Sequence, residues 1–93
     1  MIQRGTIYER GATATDDNPF QVDTETENVV ISVNIHCYTN DVYYGNLAFQ
    51  LGIIRANAVV WFEKTVRVSD LWFKNVTPGS NGTVVIAGVN KEQ

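Results

Sequence analysis

Apolar residues in this chain fall in short continuous runs. Val29-Val30-Ile31, Val42-Tyr43-Tyr44, Val59-Val60-Trp61-Phe62, Leu71-Trp72-Phe73 and Val84-Val85-Ile86-Ala87 each place bulky side chains at consecutive positions. β-Branched and aromatic residues dominate them, and clusters of Gly, Pro, Asn or Asp separate them, which predicts strands. Successive side chains of a strand point to opposite sides of its sheet, so a half-solvated antiparallel strand alternates apolar with polar. These runs are apolar on both faces. A chain of 93 residues builds one core, and the surplus apolar face asks for a partner.

The longest alternation, Val29 to Tyr38, puts Val29, Ile31, Val33, Ile35 and Cys37 on one face and Ser32, Asn34, His36 and Tyr38 on the other. Thr39-Asn40-Asp41 is a turn, from which Val42-Tyr43-Tyr44 is expected to return as the second arm of a hairpin. Leu47 to Ile54 reads as strand or loop, because Gly52 argues against a helix. Arg55 to Ala58 is a turn before a strand at Val59–Glu63, and Val66-Arg67-Val68 continues by alternation towards Leu71-Trp72-Phe73. Asn81-Gly82 suits a type I′ hairpin turn, and Val84 to Val89 closes the fold. Residues 1–28 form a polar, acidic N-terminal arm or edge strands: Thr6 to Thr15 is strand-like, Asp16 to Pro19 a turn, and Phe20-Gln21-Val22 a short strand. Turn signals every 8–15 residues indicate one all-β domain over 1–93, an antiparallel β-sandwich, jelly-roll-like or a small barrel.

Composition narrows the function classes. At 44% hydrophobic and 18% charged residues the chain is globular. Its net charge of −3, with seven scattered Lys and Arg, disfavours nucleic acid, which needs a clustered basic face. Cys37 is the one cysteine, so an intrachain disulfide is excluded, and on an apolar strand face it reads as a small core residue. The opening MIQRGTIYERG lacks the apolar core of a signal peptide, and no stretch approaches the ~20 apolar residues of a spanning helix. Synthesis in a cytoplasm and no membrane partner are expected.

Catalysis finds little support. His36 and Cys37 are strand neighbours and point to opposite faces, so they cannot pair. The three serines lie outside any Gly-x-Ser-x-Gly elbow, and zinc spacing and a phosphate-binding loop are missing. No enzyme, cofactor or metal is expected. Asp23, Glu25 and Glu27 would share a face if residues 22–27 were a strand, an arrangement that hard cations favour. Their spacing matches no calcium loop, and a solvated acidic edge that discourages strand pairing is the simpler reading. Asn75-Val76-Thr77 and Asn81-Gly82-Thr83 match the glycosylation pattern but carry little weight without a secretory signal.

The adjacent aromatic pairs carry more. In Tyr43-Tyr44, Trp61-Phe62 and Trp72-Phe73 one member points inward and the other outward. Leu71 and Phe73 fill the core while Trp72 faces a neighbour, or the reverse in a register shifted by one. Three outward aromatics supply roughly 450–750 Å², close to the ~800 Å² per partner of a stable contact. The candidate interface is therefore Tyr43, Trp61, Trp72 and, on the closing strand, Val85. The alternative is a small carbohydrate-binding β-sandwich module that uses the same tryptophans as stacking platforms.

Three segments also carry a resemblance: Tyr38-Thr39-Asn40-Asp41-Val42-Tyr43-Tyr44-Gly45, then Val66 to Asn75 with Val68-Ser69-Asp70-Leu71-Trp72-Phe73-Lys74 at its centre, then Gly82 to Gly88. Over residues 38–88 the chain resembles the small β-rich virion structural proteins of tailed bacteriophages and archaeal viruses. There an Asp-Val-Tyr-x-Gly turn and a Val-Ser-Asp-Leu-Tyr-x-Lys strand precede a closing valine-rich strand. The resemblance implies a capsid-decoration, fibre or tail-accessory protein, located in the virion. Such proteins form a homo-oligomer, commonly a trimer or other ring, and can contact other virion proteins. An N-terminal arm in such proteins often reaches a neighbouring subunit.

Overall fold

A computed structural model describes residues 5–91. Within them the chain forms eight strands and one 3-10 turn, with no α-helix. The strands are β1 (Gly5–Thr13), β2 (Val29–Thr39), β3 (Val42–Gly45), β4 (Gln50–Ile54), β5 (Val59–Phe62), β6 (Val66–Arg67), β7 (Trp72–Asn75) and β8 (Thr83–Lys91). All ladders between them are antiparallel. The larger sheet runs β1-β8-β2-β5, with β6 also paired to β2; the smaller runs β4-β3-β7. Both sheets are open, so the barrel alternative does not hold.

One core draws on both sheets. Tyr8, Val30, Val33, Ile35, Cys37, Val84 and Ile86 come from the larger, Val42, Ile54 and Phe73 from the smaller, and Val68 from the 3-10 turn Val68–Asp70. The continuous runs thereby split as strand geometry requires. Val84 and Ile86 are buried while Val85 and Ala87 lie on the other face; Phe73 is buried while Trp72 and Lys74 lie on the other.

Four sequence expectations about the strands and turns fail. The alternation in β2 changes phase: Val30 is buried, then Val33, Ile35 and Cys37, while Val29 and Ile31 lie off the core. A bulge causes this. The pairing of β2 with β8 shifts between Ile31 and Asn34, and Ser32 sits at φ 54. One extra residue on a strand reverses the facing of everything before it. Gly88 lies against the bulge, where a Cβ would run into the Val30 side chain and the carbonyl oxygens of Ile31 and Ser32.

The turn at Thr39-Asn40-Asp41 makes no hairpin. It carries the chain from the larger sheet to the smaller, where β3 pairs β4 and β7. Asn40 takes φ 56, and its carboxamide donates to the Asn81 carbonyl at 2.8 Å, tying this crossover to the return crossover after β7. That return is not a type I′ hairpin either, since β7 and β8 belong to different sheets. The left-handed residue is Gly79 (φ 81), after Pro78, with Ser80 N–H donating to the Thr77 carbonyl at 3.0 Å. This is the Pro-Gly arrangement of a type II turn. Finally, Val66 to Phe73 is no single strand, because the 3-10 turn divides β6 from β7.

Residues 5–28 fold back on their own chain. β1 forms the edge of the larger sheet on β8. Phe20 then adds a single bridge to β7, its N–H and C=O each bonded to Phe73 at 2.8 Å.

Candidate interaction surface

The acidic segment supplies an internal anchor. Residues 22–27 form no strand, so the shared acidic face does not arise. Asp23 is buried, with only 2% of its surface accessible. Its Oδ2 accepts from the Tyr8 hydroxyl at 2.6 Å and from Asn28 Nδ2 at 2.8 Å. Its Oδ1 accepts from Glu25 N–H at 2.9 Å and lies 3.3 Å from Arg10 Nη1. Burial pushes this carboxyl up, but the hydrogen bonds from Tyr8, the Glu25 backbone and Asn28, with the Arg10 charge, outweigh it and hold it below the usual range. Burial and the bond to Asp23 push the Tyr8 phenol well up. A carboxylate so fully engaged is no edge charge facing water. Among the described residues no group of His, Cys, Asp or Glu is placed to hold a metal ion.

Cys37 is buried, and its Sγ donates to the Asn40 carbonyl at 2.9 Å. Burial raises its thiol above the ordinary value. Asn75 is also buried, its carboxamide donating to Asp17 Oδ1 at 3.0 Å and accepting from Gly82 N–H at 3.0 Å. This side chain is engaged inside the fold and is not presented for glycosylation.

Four of the seven large hydrophobic residues exposed among those described lie on one hairpin. Leu47 is 64% exposed, Phe49 66%, Leu51 79% and Ile53 43%; all lie in β4 or the loop that joins it to β3. Polar side chains hold that loop in place. The Asn46 carboxamide oxygen accepts from the N–H of Ala48 at 2.9 Å and of Phe49 at 2.8 Å. Gln50 Nε2 donates to the carbonyls of Asn46 at 2.6 Å and Leu47 at 2.9 Å. The loop backbone is satisfied locally, so its conformation needs no packing from Leu47 or Phe49, which are left in solvent. Gly45 permits the close return, since a Cβ there would meet the Phe49 carbonyl; Gly52 accommodates the Tyr44 ring that lies against it.

Ile53 lies on the outer face of the smaller sheet together with Tyr43, which is opposite Ile53 on one side and Lys74 on the other, and Leu51 is the exposed extra residue of a bulge between Gln50 and Gly52. Trp72, opposite Gly45, shares that face. The four residues singled out from the sequence therefore divide. Tyr43 and Trp72 lie on the outer face of the smaller sheet. Trp61, 68% exposed, and Val85 lie on the outer face of the larger sheet, on β5 and β8. No single contact can engage all four. The apolar hairpin itself was not singled out, although the spacing Leu47, Phe49, Leu51, Ile53 is a period-two pattern visible in the sequence.

Comparison of the chain with protein-family models, with curated proteins and with solved structures finds no match.

Proposed function

We propose that this is a non-enzymatic structural protein that works by self-assembly, its two open sheets packed as a sandwich and its contacts made through the outer face of the smaller one. The observation that carries this reading is the concentration of solvent-facing Leu47, Phe49, Leu51 and Ile53 on one firmly held hairpin. Their exposed fractions amount to about two and a half whole side chains. At ~1.5–3 kcal/mol per buried side chain this offers roughly 4–8 kcal/mol from each copy. Two copies supply roughly 8–15 kcal/mol, of the same order as an association cost of ~4–15 kcal/mol. Tyr43 and Trp72, on the same sheet face, add to that gain. Left bare, the patch is an aggregation hazard.

The resemblance over residues 38–88 directs the reading to a virion component: capsid decoration, fibre or tail accessory, as a trimer or other ring. Sedimentation of the whole chain is expected to show a multiple of 10.4 kDa, reduced to the single mass by Leu51→Lys with Phe49→Ser. A wild-type chain that stays monomeric as concentration rises overturns self-assembly. Neighbouring genes for capsid, portal or tail proteins support the virion assignment, and carbohydrate-enzyme neighbours overturn it.

One observation favours the carbohydrate-binding alternative. Exposed Trp61 lies opposite Asn34 in the ladder, two residues from His36, whose ring is 5.3 Å from that of Tyr38. An aromatic face beside polar groups suits a sugar ring. In that case Trp61→Ala abolishes glycan binding and leaves the mass unchanged.

A further inference from the structure

The dipeptide Asn-Gly occurs once in this chain, at Asn81-Gly82, in the crossover from β7 to β8. The pair has a chemistry of its own. Glycine carries no Cβ to hinder its nitrogen. In an open chain that nitrogen loses its proton, bonds to the asparagine Cγ and expels ammonia, leaving a succinimide ring. Water then adds to either imide carbonyl and gives aspartate or isoaspartate; no oxidant or reductant takes part.

In the fold one side chain occupies both reacting groups. Asn75, 4% exposed, accepts from Gly82 N–H through its Oδ1 at 3.0 Å and donates from its Nδ2 to Asn81 Oδ1 at 3.0 Å. Two further bonds hold the linkage: Asn40 Nδ2 donates to the Asn81 carbonyl at 2.8 Å, and Ala14 N–H to the Gly82 carbonyl at 2.9 Å. Gly82 is itself buried. Its nitrogen sheds the proton and reaches Cγ only after the bond to Asn75 is broken. Loss of one buried amide bond as a prior step slows such a reaction roughly five- to 150-fold. The products do not fit the closed crossover. Asp17 Oδ1 and the Asp16 carbonyl share Asn75 Nδ2 with Asn81, so a carboxylate at position 81 would face that of Asp17 across one amide. Isoaspartate lengthens the backbone by a methylene beside a glycine where even a Cβ would meet Val42 and the carbonyl oxygens of Thr39 and Asn40.

We propose that Asn81-Gly82 is a spontaneous deamidation site held unreactive by Asn75. A crossover that stays open long enough for ring closure is then modified permanently and cannot reclose as before.

The test is incubation of the whole chain in mildly alkaline buffer, with conversion at position 81 followed by peptide mass spectrometry and isoaspartate labelling. The native protein is expected to convert at least about fivefold more slowly than the urea-unfolded chain. Asn75→Ala, shown to be folded by circular dichroism, is expected to convert at least about fivefold faster than the native protein. Tyr8→Phe weakens the fold away from the crossover and should leave the rate near the native one. If Asn75→Ala does not fold, the unmodified protein in sub-denaturing urea decides: conversion and exchange of the Gly82 amide need the same opening and should rise in step. The assignment is overturned by native conversion as fast as in the unfolded chain, or by a folded Asn75→Ala no faster than native. Equal acceleration by Tyr8→Phe, or conversion independent of Gly82 exchange, overturns it as well.

Discussion

Replacing Asp23 by Ala should remove a large part of the stability of this domain. The substitution deletes the acceptor of the buried Tyr8 hydroxyl, of Asn28 Nδ2 and of Glu25 N–H, and the counter-ion of Arg10. A buried donor left without a partner costs ~1–3 kcal/mol, and removal of one member of a buried charged network ~3–5 kcal/mol. A domain of this size holds in total only about 5–14 kcal/mol. With a urea slope of ~1.5 kcal/mol/M, a loss of ~3 kcal/mol moves the unfolding midpoint down by about 2 M. Tyr8→Phe isolates one arm of the network: it keeps the ring and removes only the bond to the charged acceptor, at a cost of ~1.5–3 kcal/mol. In a double-mutant cycle the two losses should be less than additive, since both delete the same bond. The titrations run in opposite senses. Asp23 is held below its ordinary range, so its contribution is present above about pH 4, the unfolded value, and is lost as pH falls through the folded value. Tyr8 is raised, so its contribution is present below about pH 10 and is lost as pH climbs further. Asp23→Asn should flatten the acid limb of the stability profile. A solvated edge carboxylate would instead change stability by no more than ~0.5 kcal/mol, and that result for Asp23→Ala would refute the anchor.

Two glycine substitutions separate backbone conformation from packing. Gly79→Ala meets no neighbouring atom but must hold φ 81, so urea unfolding should show a loss of about 1 kcal/mol. Gly82→Ala drives a Cβ into the Val42 side chain, and in the same assay it should lose ~1–3 kcal/mol. Cys37, buried and with a raised thiol, should label with an aromatic disulfide reagent only as fast as the protein unfolds; prompt labelling in buffer would show that the thiol is accessible. Asn75→Ala strands Gly82 N–H and releases Asp17. It should lower the thermal midpoint measurably, whereas Asn81→Ala, on an exposed residue, should do so less.

Strand content and the positions of most strands were legible because β-branched and aromatic runs between turn clusters report local preference directly. Sheet membership was not. Val42-Tyr43-Tyr44 reads as a hairpin arm because Thr39-Asn40-Asp41 is turn-forming, and no local signal distinguishes a turn within a sheet from a crossing between sheets. The facing of β2 was misread for a related reason. Ser32 is an ordinary polar position in an alternating run, and the bulge it belongs to lies against Gly88, more than fifty residues away in sequence. Asp23 looked like solvent-facing charge because its three side-chain partners, Tyr8, Asn28 and Arg10, are brought together only by the fold. For the candidate surface, the sequence showed that apolar side chains outnumber the available interior. It favoured the aromatics because they are large. The bonds of Asn46 and Gln50, which hold Leu47 and Phe49 in solvent, became apparent only with the hairpin in three dimensions.

The strand order of the larger sheet has a consequence for biosynthesis. β8, made after the other seven strands, is the one that separates β1 from β2. Until it is made, the inner flank of each of those strands is unsatisfied and Val84 and Ile86 are missing from the shared interior. The nascent protein therefore carries two vacant seams until β8 is made. Its exposure to misassociation ends in one step, when the nine residues of β8 slot between strands made before them.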